Sequence, residues 1–340
     1  MAMNCMAITG VPGWLTQALL DDLGASGLDR IQKVKAFIHP RFLDSSGQIA
    51  QRNPILNSIH PLDLSRPELF KGVQDALRDV DVLLHSAGAI HVHRTADWYR
   101  INLDGTLHLA RAARAAGVRR FVFISSNAAG GRCESAAQVL TESDLAKPLS
   151  HYGRSKRLAE QGLAAMQREG EFDVVILRPS MFYGPPVPER HVDLYRRVLA
   201  GRMPMVGDGL YRRSITYIDN LVQATRLAMT HPDAPGEVFY VVDEPVYTTR
   251  KIIESMASAL AVPLRLLRLP ALVGPAAYFA DRILESIGLY WQNLHILGES
   301  HWHVALSCAK IKHSLGYEPR VEIDEGMRRA VEWCRQSGKL

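Results

Sequence analysis

The stretch "AITGVPGWLTQALL", residues Ala7–Leu20, decides how the chain begins to fold. A short apolar run ends at Gly10, Gly13 follows three residues on, and helix-forming residues continue from Trp14 to Leu23. A G-x-x-G turn between a strand and a helix lets the backbone approach a pyrophosphate at the helix N-terminus, where free N–H groups and the helix dipole favour negative charge. A third glycine, which would let the helix pack closely on the strand, is replaced by Thr16. That substitution is expected to loosen the fit without removing the phosphate site. A glycine-bearing turn with no ligand is the competing reading of this stretch alone.

Working outward, short apolar runs alternate with helical patterns. Strands are predicted at Asn4–Thr9, Val34–His39, Val80–His85, Arg120–Ser125 and Asp173–Arg178, with helical stretches at Trp14–Leu23, Arg66–Arg78, Trp98–Ala116 and His151–Glu169. Runs such as "DVLLH", "RFVFIS" and "FDVVILR" are apolar throughout and suit a sheet covered on both faces. The alternation predicts an α/β protein with a doubly wound parallel sheet. After Pro179 the rhythm changes to segments rich in proline, glycine and aromatics, which suit loops shaping a pocket. We expect residues 1–180 to form a dinucleotide-binding domain, with segments near 214–243 returning to it, and residues 181–340 to form mainly a smaller substrate-binding lobe.

Composition narrows the class. The 340 residues are 47% hydrophobic and 22% charged, with a net charge of +5. The basic residues are scattered, so phosphate-bearing small molecules account for them and no nucleic-acid partner is expected. Cys5, Cys133, Cys308 and Cys334 form no C-x-x-C pair, which suggests reduced thiols and a cytoplasmic setting. The start shows no secretory leader, and no stretch reaches the ~18 apolar residues of a membrane span. The nearest, "LPALVGPAAYFADRILESIG", is interrupted by Pro270, Pro275, Asp281, Arg282 and Glu285. It reads as a helix packed over a pocket, with a lipid-touching surface as the alternative.

In "HYGRSKRLAEQ", Tyr152 and Lys156 stand four residues apart, so on a helix they share one face. A neighbouring ammonium is expected to lower the phenol's pKa and make Tyr152 a usable general acid or base. After the second strand, where an acidic residue would hold a ribose 2′-hydroxyl, "VKAFIHPRF" offers His39 and Arg41. Positive charge there favours a 2′-phosphate and hence NADP over NAD. Asp63 follows the third strand, within reach of an adenine. "HVH" at His91–His93 and "HWH" at His301–His303 lack a carboxylate or cysteine at ligand spacing, so no metal is expected.

Taken in order, "TGVPGWL", "DVLLHSAG", "INLDGTLHLARAARAAGVRRFVFISS", "YGRSK", "LRPSMFYGP", "YIDNL" and "LGYEP" resemble an extended short-chain dehydrogenase/reductase over nearly the whole chain. That family includes the sugar epimerases and dehydratases and the 3β-hydroxysteroid dehydrogenases. The resemblance implies a Rossmann domain binding NAD(P), with Gly10, Gly13, Trp14 and Leu15 at the pyrophosphate and Asp63 and Leu64 toward the adenine. Ser86, Ala87 and Gly88 would line the cofactor, Asn102 would support the site, and Pro179, Ser180 and Met181 would close over the nicotinamide. Ser126 would hold the substrate oxygen with Ser125 its structural partner, Tyr152 would pass the proton, and Lys156 would keep the phenol acidic and bind the nicotinamide ribose.

Departures from the family pattern guide the choice of activity. Asn127 and Ala128 stand where the dehydratases carry an acid and a base, which argues against water elimination. Met181 replaces an asparagine that contacts the diphosphate in nucleotide-sugar enzymes. Arg212 stands where epimerases place a phosphate-binding arginine, with Arg213 and Arg190 as helpers. The "SITYIDNL" and "HVALSCAKIKHSLGYEP" segments lean toward the hydroxysteroid dehydrogenase and dihydroflavonol reductase-like branch. Phe182, Tyr217, Tyr278, Phe279, Tyr290 and Trp291 would give the lobe an aromatic substrate surface, with His91, Asn127, Phe182, Arg212 and Tyr217 nearest the substrate. The expectation is an NAD(P)-dependent enzyme interconverting a secondary alcohol and a ketone on a fairly apolar small molecule. A nucleotide-sugar 4-epimerase and a non-catalytic dinucleotide-sensing regulator are the alternatives. Resemblance also implies a homodimer, through a bundle containing Trp98–Ala116 and His151–Glu169.

Overall fold

In the computed structural model, which describes residues 4–26, 31–168, 170 and 172–340, the apolar runs become parallel strands. These are β1 (Cys5–Val11), β2 (Lys33–Ile38), β3 (Leu56–Pro61), β4 (Val82–His85), β5 (Arg120–Ile124) and β6 (Asp173–Pro179). They lie in the order β3-β2-β1-β4-β5-β6, and the strand Val238–Val241 completes the sheet beyond β6. Every pairing in this sheet is parallel. β4 and β5 are buried along their whole length, because helices cover both faces. One core, around Ile8, Leu19, Val122 and Leu177, lies on one face; the other, around Ala7, Leu83, Phe121 and Leu109, lies opposite. Strand β3, "LNSIHP", is the edge strand and only partly buried. With one neighbour and a half-wet face it carries too few apolar residues to stand out by pattern.

Among the described residues the helices are α1 (Trp14–Ser26), α2 (Ser46–Arg52), α3 (Phe70–Ala76), α4 (Thr95–Trp98), α5 (Thr106–Ala115) and α6 (His151–Arg168), followed by seven more in the second half. Two predicted helices differ in form. Arg66–Arg78 begins as a 3₁₀ turn at Pro67–Leu69 before α3. Trp98–Ala116 is not one α-helix: a π-helical stretch, Tyr99–Gly105, joins α4 to α5. Glu169, the last residue expected in α6, lies outside the described residues.

The second half adds short two-stranded pieces, Met181–Tyr183 with Ile215–Tyr217 and Met203–Val206 with Leu266–Leu269, and the helix pair Val273–Ser286 and Gln292–Glu299. Among the described residues no helix is long and apolar enough to cross a membrane.

Candidate active site

Register sets the site. Thr9 in β1 pairs with His85 in β4, so the loops leaving these strands run side by side where the strand order reverses. Gly10 there has φ +91°, and a Cβ on it would stand 2.8 Å from the Ala87 nitrogen. Only glycine allows that turn and that approach together. Gly13 N donates to Gly10 O at 2.6 Å. Thr16 does not loosen this turn as expected. Its buried hydroxyl lies 3.1 Å from Gly10 O and 2.9 Å from Gly13 O, tying the turn to the start of α1.

Thr9 Oγ1 accepts from the backbone N–H groups of Ser86 and Ala87, at 3.2 and 3.1 Å. With its acceptor positions used, the hydroxyl donates to His85 Nδ1 at 2.8 Å, and His85 Nε2–H donates to Thr106 Oγ1 at 3.0 Å. Burial, reinforced by the Lys156 ammonium, holds the His85 imidazole down to about 3, so it stays neutral. His85 thus fixes the Ser86–Ala87 turn to the helix beyond; its signal in the sequence was a histidine ending an apolar strand. Asn102, buried in the π-helical stretch, makes a reciprocal pair with Ala89: its Nδ2 donates to Ala89 O at 2.9 Å, and Ala89 N donates to its Oδ1 at 2.8 Å. Asn102 therefore braces the Gly88 loop rather than capping a helix. Gly105, not singled out in the sequence, lets that helix meet the loop after β3, because a Cβ on it would collide with the Leu64 carbonyl oxygen.

At the end of β5 two serines diverge. Ser125 Oγ donates to Glu160 Oε1 at 2.6 Å, and Glu160 is forked by Arg178, with Nε at 2.8 Å and Nη2 at 2.6 Å. Ser126 faces the other way: its Oγ accepts from Ala128 N at 3.2 Å and partners the Tyr152 hydroxyl. Asn127 opens the 3₁₀ turn Asn127–Ala129. One turn along α6 from Tyr152, the buried Lys156 Nζ donates to Ile124 O at 2.9 Å and lies 4.6 Å from the centroid of the Phe123 ring. Burial pushes the Lys156 ammonium down to about 8, against the opposing pull of Glu160.

The expectation of a phenol acidified by Lys156 is corrected here. Burial raises the Tyr152 pKa, and the groups that oppose it are Ser126 and Arg190. Lys156 is held on the Ile124 carbonyl, so its shared face with Tyr152 does not become a direct bond. Tyr152 also meets Trp98 at 6.1 Å between ring centroids, and Tyr290 stands edge-on to Trp98 at 4.6 Å. His91 stacks on Tyr290 at 6.5 Å, which places it at the rim of the same aromatic wall. Trp98 and His191 were not read from the sequence as site residues, because their place depends on which elements meet across the cleft.

Across from this wall, Trp14 packs on Phe182 at 4.9 Å and on His191 at 4.7 Å. The exposed Arg190 donates from Nε to His191 Nδ1 at 3.3 Å and has no carboxylate partner among the described residues. Leu15 is buried in α1. Pro179 ends β6, Ser180 Oγ donates to Ser214 O at 2.6 Å, and Met181 is exposed beside the half-buried Phe182. At the far end, His39 Nδ1 accepts from Arg41 N at 3.2 Å, and the exposed Arg41 guanidinium lies over Phe42. Asp63 Oδ1 accepts from Ser65 N and Oγ, at 2.9 and 2.7 Å, while Leu64 is buried against Gly105.

Two substrate-side expectations fail. Arg212 Nη1 donates to the carbonyls of Ala136 and Gln138, at 2.8 and 3.1 Å, so its charge is spent on a loop. Tyr217 is in the core, edge-on to Tyr183 at 5.4 Å, because all of Ile215–Tyr217 is buried. Arg213 donates to Glu299 O. Of the lobe's aromatics, Phe279 and Trp291 face solvent and Tyr278 packs on Trp302. The arrangement suits a nicotinamide dinucleotide: the Gly10–Gly13 turn opens helix α1, the glycine at Gly10 lets the Ser86–Ala87 loop pass close beside it, and the buried Trp14 indole N–H has no hydrogen-bond partner among the described residues.

Comparison with known proteins agrees with this geometry. The chain is 28% identical to UDP-glucose 4-epimerase of Vibrio cholerae, over 75% of this chain and 77% of that one. It is 27% identical to 2-alkyl-3-oxoalkanoate reductase of Stenotrophomonas maltophilia, over 95% and 97% of the two chains. The fold of dTDP-glucose 4,6-dehydratase from Streptomyces venezuelae, solved with NAD bound, superposes with a TM-score of 0.77 at 23% identity, covering 97% of each chain. Residues 6–242 match the model of the NAD dependent epimerase/dehydratase family. The chain is therefore an enzyme of the NAD-dependent epimerase/dehydratase family.

Proposed function

We propose that this enzyme is an NADP-preferring reductase that interconverts a ketone and a secondary alcohol on a fairly apolar small molecule. The observation that carries the reading is the Ser126–Tyr152 pair at the carboxyl edge of the sheet, with Lys156 buried one turn behind it. Ser126 holds the substrate oxygen, and Tyr152, kept protonated by burial, delivers a proton to that oxygen as the Ser126 hydroxyl and nearby positive charge meet the phenolate that forms. Lys156 supplies the positive charge that meets the developing phenolate and holds the nicotinamide ribose. A bound nicotinamide supplies the hydride. Gly10, Gly13, Trp14 and Leu15 seat the pyrophosphate, Ser86, Ala87 and Gly88 line the cofactor, and Pro179, Ser180 and Met181 cover the nicotinamide. Asp63 and Leu64 flank the adenine, and Arg41 with His39 meets the 2′-phosphate.

Support for an apolar substrate comes from the half-buried Tyr290 and Phe182 rings and the exposed Met181 thioether, and from the engagement of Arg212 and Arg213 by backbone carbonyls. A nucleotide-sugar 4-epimerase is the second reading, favoured by the Arg190 cation, which has no carboxylate partner among the described residues, and by the Vibrio cholerae relative. Ketones, sterols and nucleotide sugars offered with each reduced dinucleotide separate the two. Stoichiometric loss of the reduced-cofactor absorbance with a ketone is expected, more strongly with NADPH than NADH, and Arg41→Glu should reverse that preference. Conversion of a nucleotide sugar with no net change in absorbance would replace this reading by the epimerase.

A further inference from the structure

Helix Val273–Ser286 wears its polarity inside out. Its buried face carries Asp281 and Glu285. One oxygen of each acid is engaged from within the chain, and the other is buried without a hydrogen-bond partner among the described residues: Asp281 Oδ2 lies 2.6 Å from His295 Nδ1, Glu299 Oε1 lies 3.2 Å from His295 Nε2, and Arg282 Nη1 donates to Glu285 Oε2 at 2.6 Å. With both nitrogens of His295 engaged and a guanidinium on Glu285, the cluster is an ion network that joins this helix to Gln292–Glu299.

The outward face is the opposite. Leu272, Phe279, Ile283 and Ile287 recur at intervals of seven, four and four residues, which places them on one stripe. They are 79%, 69%, 51% and 66% exposed. The other exposed residues from 272 to 287 are Pro275, Ala276 and Ser286, so no charged side chain interrupts the stripe. Trp291 and Ile296, also exposed, extend the apolar surface onto the next turn and helix. A helix on the outside of a globular protein normally has the reverse pattern, and scattered exposure does not produce one continuous uncharged face.

Exposed charge near the start of this helix is mostly basic, with Asp208 as the acid that follows the strand paired with Leu266–Leu269. From residue 262 to 296 the exposed charged side chains are Arg265 and Arg268, on and beside the strand Leu266–Leu269 that leads into the helix. The exposed Arg202 precedes the strand paired with it. We propose that this face seats on an anionic lipid surface, with the helix lying in the plane of the interface, its stripe among the acyl chains and the arginines on the phosphate headgroups. The 14 residues of the helix fall short of the ~20 that a span needs, so it lies on the membrane and does not cross it.

Flotation of the full chain with phosphatidylcholine vesicles, with and without phosphatidylglycerol, tests this. Recovery should be about ten-fold greater with phosphatidylglycerol and should fall as salt is raised, since exposed charges are screened. Phe279→Asp with Ile283→Asp should abolish flotation, and because both positions are on the surface the melting temperature should stay near that of the wild type. Arg265→Glu with Arg268→Glu should remove the dependence on phosphatidylglycerol. Failure of the wild type to float with anionic vesicles, or equal flotation of the Phe279/Ile283 variant, would overturn the proposal. So would sedimentation showing a dimer that the same variant splits, which would assign the face to a second copy.

Discussion

In the proposed reaction the role of Tyr152 would rest on position more than on a lowered pKa, since burial raises it. Its hydroxyl meets Ser126, while Lys156 gives one of its three N–H groups to the Ile124 carbonyl. Tyr152→Phe should therefore cut turnover by about 10²–10⁴-fold while leaving dinucleotide affinity nearly unchanged, as read by cofactor fluorescence. Lys156 carries a pH signature of its own. Burial holds it near 8, whereas an unfolded lysine titrates near ~10.4. Between those values the unfolded chain binds a proton that the folded chain lacks, so this residue makes stability rise with pH across that window. In urea melts, the wild type should gain on Lys156→Met between about pH 8 and ~10.4 and show no relative change below it. At this scale the sequence was legible where chemistry needs a fixed local spacing: Tyr152 and Lys156 sit four apart on a helix, and Gly10 and Gly13 bracket one turn. Arg212 and Tyr217 were misread because the carbonyls an arginine meets, or the core a tyrosine fills, are decided by segments far away in the chain.

Among the elements, the π-helical stretch Tyr99–Gly105 has the most consequence for the site. It presents Asn102 to Ala89, and it ends on Gly105, where the helix touches the Leu64 backbone. Gly105→Ala should drive the helix off that loop, lowering stability by about 2 kcal/mol, the range for overpacking a tight contact. Dinucleotide affinity should fall with it, because the Gly88 loop loses its brace. A second junction joins β5, α6 and β6 through Ser125, Glu160 and Arg178, with Glu160 and Arg178 both buried. Glu160→Gln leaves the guanidinium without a counter-charge and should destabilise the fold by about 3–5 kcal/mol in denaturant melts. The strands were readable because β4 and β5 are apolar along their length. The π-helical stretch was not, since its hydrogen-bond shift leaves the same apolar pattern as an α-helix; Ser125 likewise gave no sign of the acid it would meet.

For the molecule as a whole, alternation of strand and helix was enough to expect the doubly wound sheet, because a parallel sheet needs a crossover after each strand. What lay beyond the pattern is how the chain recrosses itself. After β6 it builds Met181–Tyr183, the helix Glu189–Leu199 and Ile215–Tyr217, then supplies Val238–Val241 as the last strand of the sheet. The far edge of the sheet is thus finished by residues that come after Met181–Tyr183, Glu189–Leu199 and Ile215–Tyr217. A fragment stopped at Pro179 would bare the amide edge of β6, and its fate should be pairing with other fragments into aggregates, visible by light scattering. The same weave means that residues 181–340 cannot be cut away as one block without stripping the sheet of its last strand, so a graft of that half would have to carry Val238–Val241 with it.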